Sequence, residues 1–176
     1  MIDMHCHLLP SVDDGVKDFD EAINQIKEGI KNGVLDFIIT PHYRPTKNYV
    51  RTTELLKNEL MELQTKIQEL GIEARLYLGR EIDEVKDLKK LLEEQIVDAM
   101  NDTKYLLLDF GVNTANITEY IYETKLLGYK VIVAHVERYK YVDTLESFDA
   151  LKKEGALLQM NASSIISPRN KTMKKK

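Results

Sequence analysis

The chain opens Ile2-Asp3-Met4-His5-Cys6-His7, a short run of strand-forming residues that ends on two histidines one residue apart. Side chains alternate across a strand, so His5 and His7 share a face and Cys6 takes the other. The same grammar repeats along the chain. Apolar or β-branched runs at 2–6, 35–41, 74–80, 104–110, 130–135 and 156–161 predict six strands, and stretches of helical spacing lie between them. The first helix carries Phe19, Ile23, Ile26 and Ile30 on one face, starts at Asp18 with Glu21 in capping-box spacing, and stops by Gly33. The second carries Leu56, Leu60, Leu63, Ile67 and Leu70 before Gly71, and further helices are expected at 84–97, 114–127 and 144–154. Strand–helix units in series imply an α/β fold of parallel strands covered by helices, either an open doubly wound sheet or a barrel.

Both architectures place their chemistry at the carboxyl ends of the strands. Residues able to bind or catalyse should therefore follow the apolar runs, and they do. His5 and His7 close the first strand, His42 the second, Glu81 the third, Asp109 the fourth, His135 the fifth and Asn161 the sixth. All four histidines belong to this set. Asp14, beyond the turn-forming stretch Pro10-Ser11-Val12-Asp13, can fold back over the same rim. His5, His7, Asp14, His42, Glu81, Asp109 and His135 supply more nitrogen and oxygen donors than one ion needs. Mixed imidazole and carboxylate donors suit manganese, iron or zinc, and a bridging Glu81 would allow two or three ions, an arrangement that activates water against phosphate esters. Arg138, three residues beyond His135, is placed to hold phosphate oxygens.

Composition removes several alternatives. The 176 residues carry a net charge of −4, and 31% of them are charged. Five of the positive residues lie between Arg169 and Lys176, so residues 1–168 form an acidic body and a poor surface for nucleic acid. The longest apolar runs are far short of the roughly 20 residues of a membrane helix, and the N-terminus lacks the pattern of a secretory signal. No membrane insertion and a cytoplasmic location are expected, in accord with a single cysteine. Cys6 lacks the C-x5-R loop of thiol phosphatases, because position 12 is valine. Phosphate-binding glycine loops and the G-x-S-x-G elbow are also missing from the sequence.

Five segments together carry a resemblance. Ile2–Pro10 with Asp13-Asp14-Gly15, Thr40-Pro41-His42-Tyr43, Gly79-Arg80-Glu81-Ile82, Ala134-His135-Val136-Glu137-Arg138-Tyr139 and Gln159-Met160-Asn161-Ala162 resemble the metal-dependent protein-tyrosine phosphatases of bacterial capsular and exopolysaccharide clusters. These belong to the polymerase-and-histidinol-phosphatase (PHP) superfamily, and the match runs in order over essentially all of residues 1–176. The resemblance implies a distorted (β/α)7 barrel, commonly manganese-loaded, that hydrolyses phosphotyrosine on the tail of a cognate bacterial tyrosine kinase. It assigns His5, His7 and Glu81 to one ion, Glu81, Asp109 and His135 to a second, Asp14 and His42 to a third, and Arg138 to phosphate. Asp109 stands where the family usually has glutamate, and the family's final Asp-x-His motif has no counterpart here. The expectation is thus a single PHP-like domain truncated to about six βα units, with a basic tail at 167–176 and weaker turnover than a chain carrying a seventh. Two alternatives remain, a phosphatase for a small phosphomonoester such as histidinol phosphate, and an inactive fold that binds metal or a kinase tail.

Overall fold

The computed structural model describes residues 1–83, 86–111 and 116–166, so the tail expected at 167–176 lies outside the described residues. The strands are β1 (Ile2–Cys6), β2 (Asp36–Ile39), β3 (His42–Tyr43), β4 (Arg75–Leu78), β5 (Glu81–Ile82), β6 (Tyr105–Leu108), β7 (Lys130–Val133) and β8 (Leu157–Leu158). The helices are α1 (Phe19–Lys31), α2 (Thr53–Glu69), α3 (Leu88–Glu93), α4 (Ile117–Leu126), α5 (Leu145–Lys153) and α6 (Ala162–Ile166).

Every strand pairing is parallel, in the orders β1-β2-β4 and β3-β5-β6-β7-β8. The runs expected as strands at 35–41 and 74–80 pair only over Asp36–Ile39 and Arg75–Leu78; Thr40-Pro41 and Gly79-Arg80 leave the ladder, and each path resumes just beyond the expected run, at His42–Tyr43 and Glu81–Ile82. Proline has no N–H to give to a ladder, and the pairing lapses there. The register survives the gap, because Ile39 opposite Leu78 and His42 opposite Glu81 keep the same offset. The two ladders therefore follow one another along six strand paths whose spatial order is their order in the chain. The expected helix at 84–97 is shorter, Leu88–Glu93, and the one at 114–127 is Ile117–Leu126, with residues 84–85 and 112–115 outside the described residues. The sixth strand keeps only Leu157–Leu158 of 156–161, where α6 follows almost at once.

Local chemistry sets the helix ends. The Asp18 carboxylate accepts from the Glu21 amide at 2.8 Å, while the Glu21 carboxylate reaches back to the Lys17 amide at 2.9 Å, one residue earlier than in a strict capping box. Thr144 and Ser147 form the full reciprocal box at α5. Gly128, at φ +87°, takes the left-handed turn that ends α4 and feeds β7.

Alternation along the strands divides the core. Leu106 and Leu108 of β6 and Val131 and Val133 of β7 pack outward against α3, α4 and α5, together with Ile117, Ile121 and Leu151. Phe37 and Ile39 of β2 pack with α1 and α2 through Ile26, Leu56, Leu63 and Ile67. Leu107 and Ile132 face inward and meet Met4 and Ile38 from the first two strands, so the inner surface of the curved sheet is a packed layer as well. Leu108 is completely buried in the middle of this arrangement. Leu108→Ala is expected to lower unfolding free energy by about 2–5 kcal/mol, measured by urea denaturation.

Candidate metal centre

The seven expected rim residues converge. The ring centroids of His5 and His7 lie 5.3 Å apart, those of His7 and His42 4.7 Å, and those of His5 and His135 5.8 Å. Glu81, 1% exposed, stands at their centre. Its Oε2 lies 3.0 Å from His5 Nε2, 3.2 Å from His7 Nε2 and 3.3 Å from His42 Nδ1, and its Oε1 lies 2.8 Å from His135 Nε2. Burial alone would raise the Glu81 carboxyl, but hydrogen bonds from His135, His5 and His7 hold it far below the usual carboxylate range. Asp109 brings Oδ2 to 3.6 Å from His135 Nε2, and Asp14 brings Oδ1 to 3.3 Å from His42 Nε2.

Behind the rim a set of acceptors orients the rings. His7 Nδ1 lies 2.7 Å from Asp13 Oδ2, His5 Nδ1 3.1 Å from Gln159 Oε1, and His42 Nδ1 2.8 Å from Asp83 Oδ1. An Nδ1–H donated in each case leaves Nε2 with its lone pair toward the cleft. The Nε2 atoms of His5 and His7 are then only 3.3 Å apart and face one carboxylate oxygen. Lone pairs crowded in this way require protons or a cation between them, and donors from three groups of residues come within 4.8 Å of one another: His5, His7 and Glu81; Glu81, Asp109 and His135; and His7, Asp13, Asp14 and His42. The donor chemistry therefore fits divalent metal ions.

Arg138 is exposed and lines the same cleft, of about 410 Å³, with Asp14, Arg44 and Asn161 among the other walls. Cys6 lies away from it. Its thiol donates to the Ile38 carbonyl at 3.4 Å, and burial, with Asp3 nearby, pushes its pKa up, so it is neither placed nor ionised for attack.

Several residues of the centre escaped the sequence reading. Asp13 accepts from His7, from the His42 amide at 2.9 Å and from the Gly15 amide at 2.9 Å. Arg44 donates Nε–H to Asp83 at 2.6 Å and approaches Asp109 Oδ2 at 3.4 Å. Tyr139 donates to Asp109 Oδ1 at 3.1 Å and accepts from the Phe110 amide at 3.0 Å. Gln159 also accepts from the His135 amide at 2.6 Å. A signal for two of them lay in the strand period, since Arg44 is two residues beyond His42 and Asp83 two beyond Glu81.

Comparison with known proteins follows this geometry. The family model described as capsular polysaccharide synthesis, CpsB/CapC, matches residues 1–176. CapC of Staphylococcus aureus is 34% identical over 94% of the chain and 66% of its own length. The tyrosine-protein phosphatase YwqE of Bacillus subtilis is 27% identical over 99% of the chain and 69% of its own length. A crystal structure from a study of YwqE and of CpsB from Streptococcus pneumoniae, described there as metal-dependent tyrosine phosphatases, superposes with a TM-score of 0.89 at 27% identity, covering 99% of this chain and 72% of that one. The chain thus spans about two thirds of the length of these relatives. Among the described residues no helix is long and apolar enough to cross a membrane.

Two outcomes are expected from this site. A Cβ added at Gly15 would lie 2.5 Å from His7 Cβ and would also strike the His7 carbonyl, forcing the Asp13–Gly15 turn off the first strand. Gly15→Ala should weaken divalent-metal binding roughly 10–100-fold in a titration of the full chain, as loss of ligand support does elsewhere. In chelator-treated protein, burial opposes but Asp13 and Glu81 outweigh it, and the His7 pKa rises from 6.5 to about 10. The stability gained from protonated His7 is complete below about pH 6.5 and is lost as pH rises through about 10. The deficit of His7→Gln in urea should accordingly be largest at about pH 6.5, already smaller at pH 8, and gone above about pH 10.

Proposed function

The chain belongs to the CpsB/CapC family of capsular polysaccharide synthesis, and on that premise we propose that it is a metal-dependent phosphatase that hydrolyses phosphotyrosine, acting in the cytoplasm on the tail of a bacterial tyrosine kinase and so regulating capsular or exopolysaccharide synthesis. The curved parallel sheet is read, at finer grain, as the strand arc of a distorted (β/α)7 PHP barrel. The observation that carries the reading is the buried Glu81 carboxylate, shared among imidazoles from three strand paths at the floor of a cleft that also holds two arginines.

In this reading His5, His7 and Glu81 hold one ion, Glu81, Asp109 and His135 a second, and Asp14 and His42 a third. Manganese is the favoured metal, and iron and zinc share the same donor preference. Bound ions would lower the pKa of water and neutralise charge on the phosphoryl group. The protein's own contributions are positional. Asp13, Asp83 and Gln159 fix the imidazoles, Tyr139 and the Gly111 amide fix one oxygen of Asp109, and Arg44 is held by Asp83 beside the other. Arg138, exposed at the rim, is free to take the phosphate oxygens of an incoming ester. The phenol leaving group, with a free pKa of about 10, needs little protonation as it departs.

Hydrolysis of a phosphotyrosine peptide should be abolished by chelator, restored by manganese, and unaffected by Cys6→Ser. Arg138→Ala should lower kcat/KM about a hundredfold, with effects on both kcat and KM. Activity that depends on the thiol, or a preference for histidinol phosphate across a panel of phosphate esters, would overturn the assignment.

A further inference from the structure

A second cavity, of about 180 Å³, lies between α2, β4 and the segment 98–102. Leu56, Leu60 and Leu78 supply an apolar wall, and Arg80, Thr53 and Lys57 supply polar groups. Arg80 is 2% exposed. Its Nη2 donates to the Arg51 carbonyl at 2.5 Å, and its guanidinium lies 5.3 Å from the centre of the Tyr43 ring, yet Nε and Nη1 are buried with no hydrogen-bond partner among the described residues. Thr53 Oγ1, in the same wall, is also buried and unpartnered.

Buried donors without acceptors are rare, because each forfeits its hydration for nothing, and a guanidinium forfeits most. Arg80 forms no ion pair among the described residues, so its charge is not neutralised by a protein carboxylate in contact with it. Thr53 opens the 17-residue α2, whose N-terminal end favours negative charge, and Lys57 follows one turn later. Three unsatisfied donor atoms and two cations at a helix start call for an oxyanion. The half-buried Asp98 and exposed Asp102 line the same cavity and disfavour a doubly charged ligand. The leucine wall gives room for a short hydrocarbon body.

We propose that this cavity is a binding site for a small carboxylate with a short apolar chain, its head group held by Arg80 and Thr53 and its body lying against Leu56, Leu60 and Leu78. The site is separate from the metal cleft. Arg80 turns its guanidinium to Arg51 and Tyr43, while the adjacent Glu81 turns its carboxylate to the histidines. The ligand would thus sit behind the residue on which the metal ligands converge.

Titration calorimetry of the full chain with butyrate, with inorganic phosphate as the competitor, tests the site. Butyrate should bind once per chain and should not be displaced by phosphate. Loss of a hydrogen bond to a charged head group corresponds to roughly 10-fold or more in affinity, so Thr53→Val should weaken butyrate by at least that factor and Arg80→Gln should abolish binding. Thr53→Val and Lys57→Ala keep the test decisive if Arg80→Gln does not fold, since both positions are on the first turns of α2. Arg138→Ala should leave butyrate affinity unchanged. Absence of butyrate binding, equal affinity in Thr53→Val, or displacement by phosphate would each overturn the proposal.

Discussion

A single buried carboxylate organises the structure. Removing an ionised side chain from water costs several kcal/mol even after relaxation, and Glu81 is almost wholly enclosed. That cost is offset only if the neighbours present donors or cations, and they come from the first, second and fifth strand paths at once. The register of those strands is therefore tied to electrostatics as well as to packing. A one-residue slip would turn the inner leucines outward and would also leave Glu81 facing aliphatic side chains.

Around that centre the polar residues form successive layers. Imidazole Nε2 atoms face the cleft, carboxylate or amide oxygens hold three of the opposite nitrogens, and backbone amides hold those oxygens in turn, as at Asp13 and Gln159. His135 departs from the scheme. Its Nδ1 is buried without a hydrogen-bond partner among the described residues, and its backbone takes the left-handed region at φ +31°, an uncommon conformation for a residue with a β-carbon. Strain of this kind persists where surrounding contacts determine the geometry, and here the Gln159 side chain, accepting from the His135 amide, is the contact that does so.

Much of this was legible in the sequence because of one rule, that polar residues of catalytic type follow apolar runs in parallel α/β folds. It places His5, His7, His42, Glu81, Asp109 and His135 on one rim without any knowledge of distances. Asp14 needed only a turn. The supporting residues were harder for a physical reason. Asp13 next to Asp14 reads as turn chemistry, and Tyr139 and Gln159 read as ordinary polar positions near strand ends, since nothing local reveals that their partners lie 30 and 154 residues away. Arg44 and Asp83 were within reach, because the period-two argument that pairs His5 with His7 pairs His42 with Arg44 and Glu81 with Asp83. The strand interruptions were also written in the sequence, at Pro41 and Gly79, whereas the unbroken register across them is a property of the paired strands and of neither alone.

The bond between His5 and Gln159 also has a bearing on the order of events during synthesis. Gln159 is synthesised 154 residues after His5, so the imidazole at the mouth of the first strand cannot take its native orientation until the sixth strand is seated. Domains made from the N-terminus collapse as they emerge, and early strands can pair before late ones exist. Until the sixth strand emerges, then, the nascent chain carries its first histidines and central glutamate without the residue that orients His5. The native orientation of His5 therefore depends on long-range assembly of the strand arc and on nothing local to the first strand.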